Sequence, residues 1–211
     1  MKKVLFICGS LNQTTQMHQI AQHMMERYDC YFTPYYADGI ENLIASLGWL
    51  NFTVLGGRHW NETHAYLTKK KLKIDMRGEG NKYDLVFTCS DLIVQKNIRN
   101  KKVVLVQEGI TEPEGFVYKL VRWLRLPRYL ANTATNGLSN AYDLFCVASE
   151  GYAEHFIRKG VKPEKIAVTG IPNFDNMAQF NDNDFPIRNH VVVATSPLRE
   201  TFRSLHELPP A

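Results

Sequence analysis

Residues 143–170 read DLFCVASEGYAEHFIRKGVKPEKIAVTG. An apolar run, Asp143 to Val147, is followed by an amphipathic stretch, Glu150 to Lys159, and by a second apolar run, Lys165 to Thr169. Gly160 sits where a helix C-cap is wanted. Both runs are apolar throughout their middles instead of alternating, so they predict strands buried on both faces. Two such strands joined by a helix form a parallel pair with a crossover.

Working outward, the same grammar recurs. Strands are predicted at Lys3 to Cys8 (KVLFIC), Cys30 to Tyr35 (CYFTPY), Asp84 to Cys89 (DLVFTC) and Lys102 to Gln107 (KVVLVQ). Pro34 cannot donate to a ladder, which sends its strand to an edge or its own end there. Helical spacing predicts helices over Gln13 to Tyr28, Ile40 to Leu50, Glu62 to Lys73 and Phe116 to Leu130. Asn51 to Trp60, with Gly56-Gly57, is expected to turn. Strand–helix repetition of this kind predicts an α/β domain, a doubly wound parallel sheet flanked by helices, over residues 1–172. Residues 173–189 are rich in Asn and Asp and carry Pro186, as a linker would. Residues 190–211 restart the pattern with HVVVAT, a turn at Ser196-Pro197 and a helix from Leu198 to Leu205. They are expected to open a second, truncated α/β domain, or else to dock as a last unit on the first.

Composition fits this reading. The chain has 211 residues, 45% hydrophobic and 22% charged, which excludes disorder and coiled coil as its main character. A formal charge of +4 is too small to argue for nucleic acid, and none is expected as a partner. The four cysteines form no C-x-x-C pair, and Cys8, Cys89 and Cys146 fall in or at the end of apolar runs. They are expected as buried, reduced residues. The N-terminal apolar run is too short for a signal peptide or a membrane span, so the expected location is cytoplasmic. The sequons at Asn12 and Asn61 are then chance matches. The seven histidines show no H-x-x-x-H or H-E-x-x-H pattern, so no metal site and no cofactor are expected.

Ligands of open parallel sheets bind beyond the carboxyl ends of the strands. The residues there are Gly9, Ser10, Asn12, Gln13 and Thr14, then Ser90 and Asp91, then Glu108, Glu112 and Glu114, then Ser149 and Glu150, then Asn173. The first turn, C-G-S-L-N-Q-T, has one glycine, so it is neither a dinucleotide fingerprint nor a P-loop. Its glycine serves a tight turn or the approach of backbone to a ligand. The segment Gln107 to Gly115 (QEGITEPEG) gathers three glutamates just past a strand. Crowded, shielded carboxylates can act as acid or base near neutral pH. The competing reading is solvated loop acids, or a charge at the start of the following helix for Glu114. Asp91 is a helix N-cap or an active-site acid. Arg122, Arg125 and Arg128 alternate with Trp123 and leucines, which suits either a core helix with a basic face or peripheral contact with an anionic membrane.

These residues resemble the GT-B superfamily, Rossmann-like two-domain enzymes, in the branch of the UDP-N-acetylglucosamine 2-epimerases and related glycosyltransferases. The resemblance covers roughly Asp84 to Glu200 and rests mainly on Asp143 to Asp175, with a strand, a helix ending in G-V, then P-x-K-I-x-V-T-G. It implies that this is the N-terminal, acceptor-side domain. It implies that Asp91 and Glu108 are catalytic acids; the strand-end positions, independently of it, make Gly9, Ser10, Glu112, Glu114, Ser149, Glu150 and Asn173 the expected substrate-binding residues. The partners implied are a nucleotide-sugar donor and a sugar or polysaccharide acceptor, such as a cell-envelope polymer. The chain has T-C-S-D where the epimerases have H-G-D, and Q-E-G where they have H-V-E-A-G, which puts a transferase first. The alternatives are an epimerase-like enzyme, a CDP-glycerol glycerophosphotransferase-like enzyme, and a non-catalytic module. Alone, the half-enzyme is expected to turn over little, because two domains must close on the donor.

Overall fold

The computed structural model describes residues 1–50, 53–111, 114–182, 184 and 186. Six strands form one sheet: β1 (Lys3–Cys8), β2 (Asp29–Pro34), β3 (Leu85–Thr88), β4 (Lys102–Val106), β5 (Leu144–Val147) and β6 (Ile166–Val168). All neighbours pair parallel, in the order β2-β1-β3-β4-β5-β6. Outside β2, Ile74 adds a single parallel bridge to Phe32, a one-residue remnant of a further outer strand. The chain runs outward from β1 to β2, then jumps back past β1 to β3. The order therefore reverses between β1 and β3, as in doubly wound sheets.

The unbroken apolar runs are explained by burial on both faces. Val4, Phe6 and Cys8 pack on one side, with Met17 and Ala21 of α1 (Leu11–Gln22) and Leu67 of α3 (Gly57–Lys69). Leu5 and Ile7 point to the other side, into a core with Leu105, Phe145 and Val147. Ala153 and Phe156 of α5 (Glu150–Lys159) complete that core. The remaining helices are α2 (Gly39–Ser46) and α4 (Phe116–Leu124). Pro34 is the last residue of β2, where no further ladder donor is needed.

Several helix limits differ from expectation. α1 ends at Gln22, and Met24 and Tyr28 reach the same core from successive turns, which made the apolar period overrun the helix. α3 begins at Gly57, directly after an extended Gly56, so the glycine pair starts a helix. α4 stops at Leu124 because Arg125 turns left-handed (φ 53°) and Pro127 follows with no N–H to give. The chain continues as a 3-10 segment, Arg128–Thr135. No helix follows Asp91 directly, so it is not an N-cap; the next helical turn is Lys96–Ile98. Glu150–Lys159 and its Gly160 cap (φ 107°) match the expected limits.

Met1–Asn176 form one compact unit and Met177 onward a second. Of the second unit, the described part includes a 3-10 turn, Met177–Phe180. The strand and helix expected within residues 190–211 lie outside the described residues. Among the described residues, no helix is long and apolar enough to cross a membrane.

Candidate functional site

At the carboxyl edge of β1, Gly9 and Ser10 turn the chain into α1. Ser10 is the N-cap: its Oγ accepts the Gln13 N–H at 3.3 Å, and Gln13 Oε1 accepts the Ser10 N–H at 3.2 Å. This reciprocal capping box fixes the Gln13 side chain. Its Nε2 then donates to Oε2 of Glu108 at 2.5 Å. Ser10 Oγ and Asn12 Nδ2 each donate to the other oxygen, Oε1, at 3.2 Å. Three donors from one helix start thus converge on one carboxylate. Glu108 follows β4, two strands from β1, so the contacts cross over the end of β3 at the point where strand order reverses.

Both sides of this bridge are braced. A Cβ on Gly9 would lie 1.6 Å from Gln13 Oε1, so only glycine leaves the amide where it is. The Gly9 carbonyl accepts from Thr63 Oγ1 at 2.8 Å, and Thr63 meets Thr14 at 3.0 Å, tying α3 to the start of α1. On the other side, buried Gln107 spans two loops. Its Nε2 donates to the Gly109 carbonyl at 2.8 Å and its Oε1 accepts the Ala148 N–H at 2.9 Å. Gln16 Nε2 donates to the Gln107 carbonyl at 2.8 Å. Glu108 therefore stands on a fixed strand end while remaining partly exposed. It borders a cleft of about 300 Å³ shared with Asn12, Gly109, Ile110, Thr111 and Asn136. Asn173 Nδ2 donates to the Asn12 Oδ1 at 2.7 Å, which brings the segment after β6 to the same rim.

Asp91 is placed differently. It is buried, with Oδ1 accepting the Gly137 N–H at 2.7 Å and Oδ2 the Ser139 N–H at 2.8 Å. It braces the 137–139 loop and does not touch Glu108. Asn136, hydrogen-bonded to Asp91, also lines the Glu108 cleft. Asn136 Oδ1 accepts the Asp91 N–H at 3.1 Å, and its Nδ2 donates to the Cys89 carbonyl at 3.1 Å.

The remaining candidates divide. Gly9, Ser10, Glu108 and Asn173 are gathered at one rim. Ser149 caps α5, accepting the Tyr152 N–H at 3.4 Å, and exposed Glu150 occupies its first turn. Glu114 is exposed just before α4. Glu112 lies outside the described residues. All four cysteines are free thiols. Burial pushes the Cys8 and Cys89 thiols up, and for Cys89 the nearby Glu108 adds to the shift, so neither is an activated nucleophile.

Sequence reasoning missed Gln107, Gln16, Thr63 and Asn136. A Gln closing an apolar strand run was a usable signal for Gln107, since a buried amide must find partners. Thr63 and Asn136 come from distant segments and carry no local signal.

No family model and no curated protein matches the chain. Among solved structures it is similar to Anabaena HepE in complex with UDP and glucose, at 16% identity and TM-score 0.45, over 81% of this chain and 44% of that one. It is also similar to S. aureus MnaA in its UDP co-structure, at 14% identity and TM-score 0.45, over 89% and 49%. A UDP-N-acetylglucosamine 2-epimerase from Rickettsia bellii follows at 12% identity and TM-score 0.40, over 87% and 50%. The chain spans half or less of the length of these structures.

Proposed function

We propose that this chain is the acceptor-side, N-terminal half of a GT-B-type glycosyltransferase that uses a nucleotide-activated sugar, with Glu108 as the general base. One observation carries the reading. A carboxylate stands at the reversal point of a parallel sheet, held by Ser10, Asn12 and Gln13 and bordering an open cleft. That is where such sheets bind ligands. In the proposed step the acceptor hydroxyl passes its proton to Glu108 as its oxygen attacks the anomeric carbon. The bond from that carbon to the diphosphate breaks, and the nucleoside diphosphate leaves. Asp91 serves as a positioning residue, fixing through the 137–139 loop the Asn136 amide that lines the cleft. Donor contacts would come from the other half of such an enzyme.

The test uses the full translation product of the gene, supplied with UDP-sugars and acceptors, with release of nucleoside diphosphate as the readout. Release that falls at least about a hundredfold in Glu108→Gln supports the base. Release of CMP from CDP-glycerol would instead assign a glycerophosphotransferase. Binding without turnover, unaffected by Glu108→Gln, would leave a non-catalytic module.

A second observation supports peripheral contact with an anionic membrane. Trp123 and Phe116 on α4 are 79% and 77% exposed. Lys119, Arg122 and Arg125 are interleaved with them and are also exposed. Aromatic rings beside cations suit a lipid interface. Cosedimentation with vesicles of phosphatidylglycerol, and its loss in Trp123→Ala, tests this contact.

A further inference from the structure

A second cavity, of about 370 Å³, opens where α4, the 3-10 segment after it and the end of α5 meet. Its wall includes Arg122, Arg125, Arg128 and Lys159, with Leu126 and Leu138, and no carboxylate. Among the described residues, none of these four cations forms an ion pair. Arg122 and Arg125 are exposed and screened by water, but Arg128 is half-buried and Lys159 buried, and an anion in the hollow would relieve their mutual repulsion.

Three details sharpen the point. Arg128 Nη2 donates to the Asp91 carbonyl at 2.8 Å, but its Nε is buried and has no partner. An unpaired buried donor is costly. Arg125 holds a left-handed backbone (φ 53°), a conformation that costs a side-chain-bearing residue free energy. Lys159 is buried, its ammonium donating to the Ala134 carbonyl and lying 5.1 Å from the centre of the Tyr118 ring. Burial pulls its pKa down, Glu114 opposes this, and the Arg122 charge pulls it down further. Cations near helix C-termini are ordinary partners of the helix dipole. That explains Arg122 and Lys159, but not Arg128, which lies in the 3-10 segment, nor its orphan Nε.

We propose that this cavity is a binding site for a phosphate group, gripped by the Arg122, Arg125 and Arg128 guanidiniums with Lys159 beneath. Guanidinium forks match phosphate oxygens in both charge and geometry. The cavity shares no lining residue with the Glu108 cleft, and the proposal does not rest on the transferase reading. The phosphate is either that of a free compound or that of a lipid headgroup, since the cavity adjoins the exposed face of α4.

The test titrates the 211-residue chain with inorganic pyrophosphate by calorimetry. In parallel it measures binding to vesicles of phosphatidylglycerol and of phosphatidylcholine. Arg125→Gly is the informative variant, because it removes a cation while relieving the left-handed backbone; Arg122→Gln is the second. The expected result is saturable binding of one anion, weakened roughly tenfold in each variant, as loss of one charge-assisted contact predicts. The thermal midpoint of Arg125→Gly should be equal to or above that of the parent. Pyrophosphate binding assigns a free phosphate compound. Phosphatidylglycerol binding alone, lost in both variants, assigns a headgroup. No binding of either probe, or binding that the variants leave unchanged, overturns the proposal.

Discussion

Gly9 has no room for a side chain, and the reason is a single amide. Gly9→Ala would push Gln13 aside, break the capping box and remove one donor from Glu108. Because the displaced group is the tip of a flexible side chain, the loss should match that of a cap, about 0.5–2 kcal/mol by urea denaturation. Asp91→Asn should cost more, roughly 2–4 kcal/mol, since it weakens two bonds from buried backbone donors. Acid should lower the stability of the fold in two steps. Burial pulls His18 below its usual value of 6.5, and the Lys70 charge adds to it, so the fold prefers the neutral ring. The unfolded chain takes up that proton first, and stability falls as pH drops through about 6.5 toward the folded value. His155 acts in the same direction. For Asp75, burial alone would raise the pKa, but hydrogen bonds from Tyr83, Asn81 and the backbone outweigh it and hold the carboxyl below 3.8. Its contribution is present above that pH and is lost below it. Urea midpoints measured from pH 8 to pH 3 should show both losses, with the first reduced in His18→Asn.

Among elements, α5 shows what is legible in a sequence and α4 what is not. The start of α5 at Ser149 and its end at Gly160 are written in local chemistry, a hydroxyl cap and a left-handed residue. Gly160→Ala should therefore cost about 1–2 kcal/mol, read as a lower midpoint in thermal melts. In α4 the apolar period continues past Leu124, and only Pro127 hints at a break; Arg125 turns left-handed with no glycine to mark the position. The strands were readable because burial on both faces leaves an unbroken apolar run. Their order was not, because pairing joins residues as distant as Val4 and Leu85. The site divides in the same way. Gly9, Ser10 and Glu108 stood out as residues at strand ends. Their convergence with Gln13 needed the register of β1, β3 and β4, and the buried role of Asp91 needed the 137–139 loop.

At the scale of the molecule, the parallel sheet presents one polar rim. On it Glu108 is braced from below by Gln107 and from the side by α1. Such bracing suits a base that must sit still while substrate arrives. The most direct measurement is release of nucleoside diphosphate by the full translation product, parent against Glu108→Gln, with folding of both checked by thermal melts. The account predicts a folded variant, its melt lowered modestly because three donors lose a charged acceptor, and a loss of turnover of about a hundredfold or more. Turnover that survives unchanged in a folded Glu108→Gln protein would contradict it.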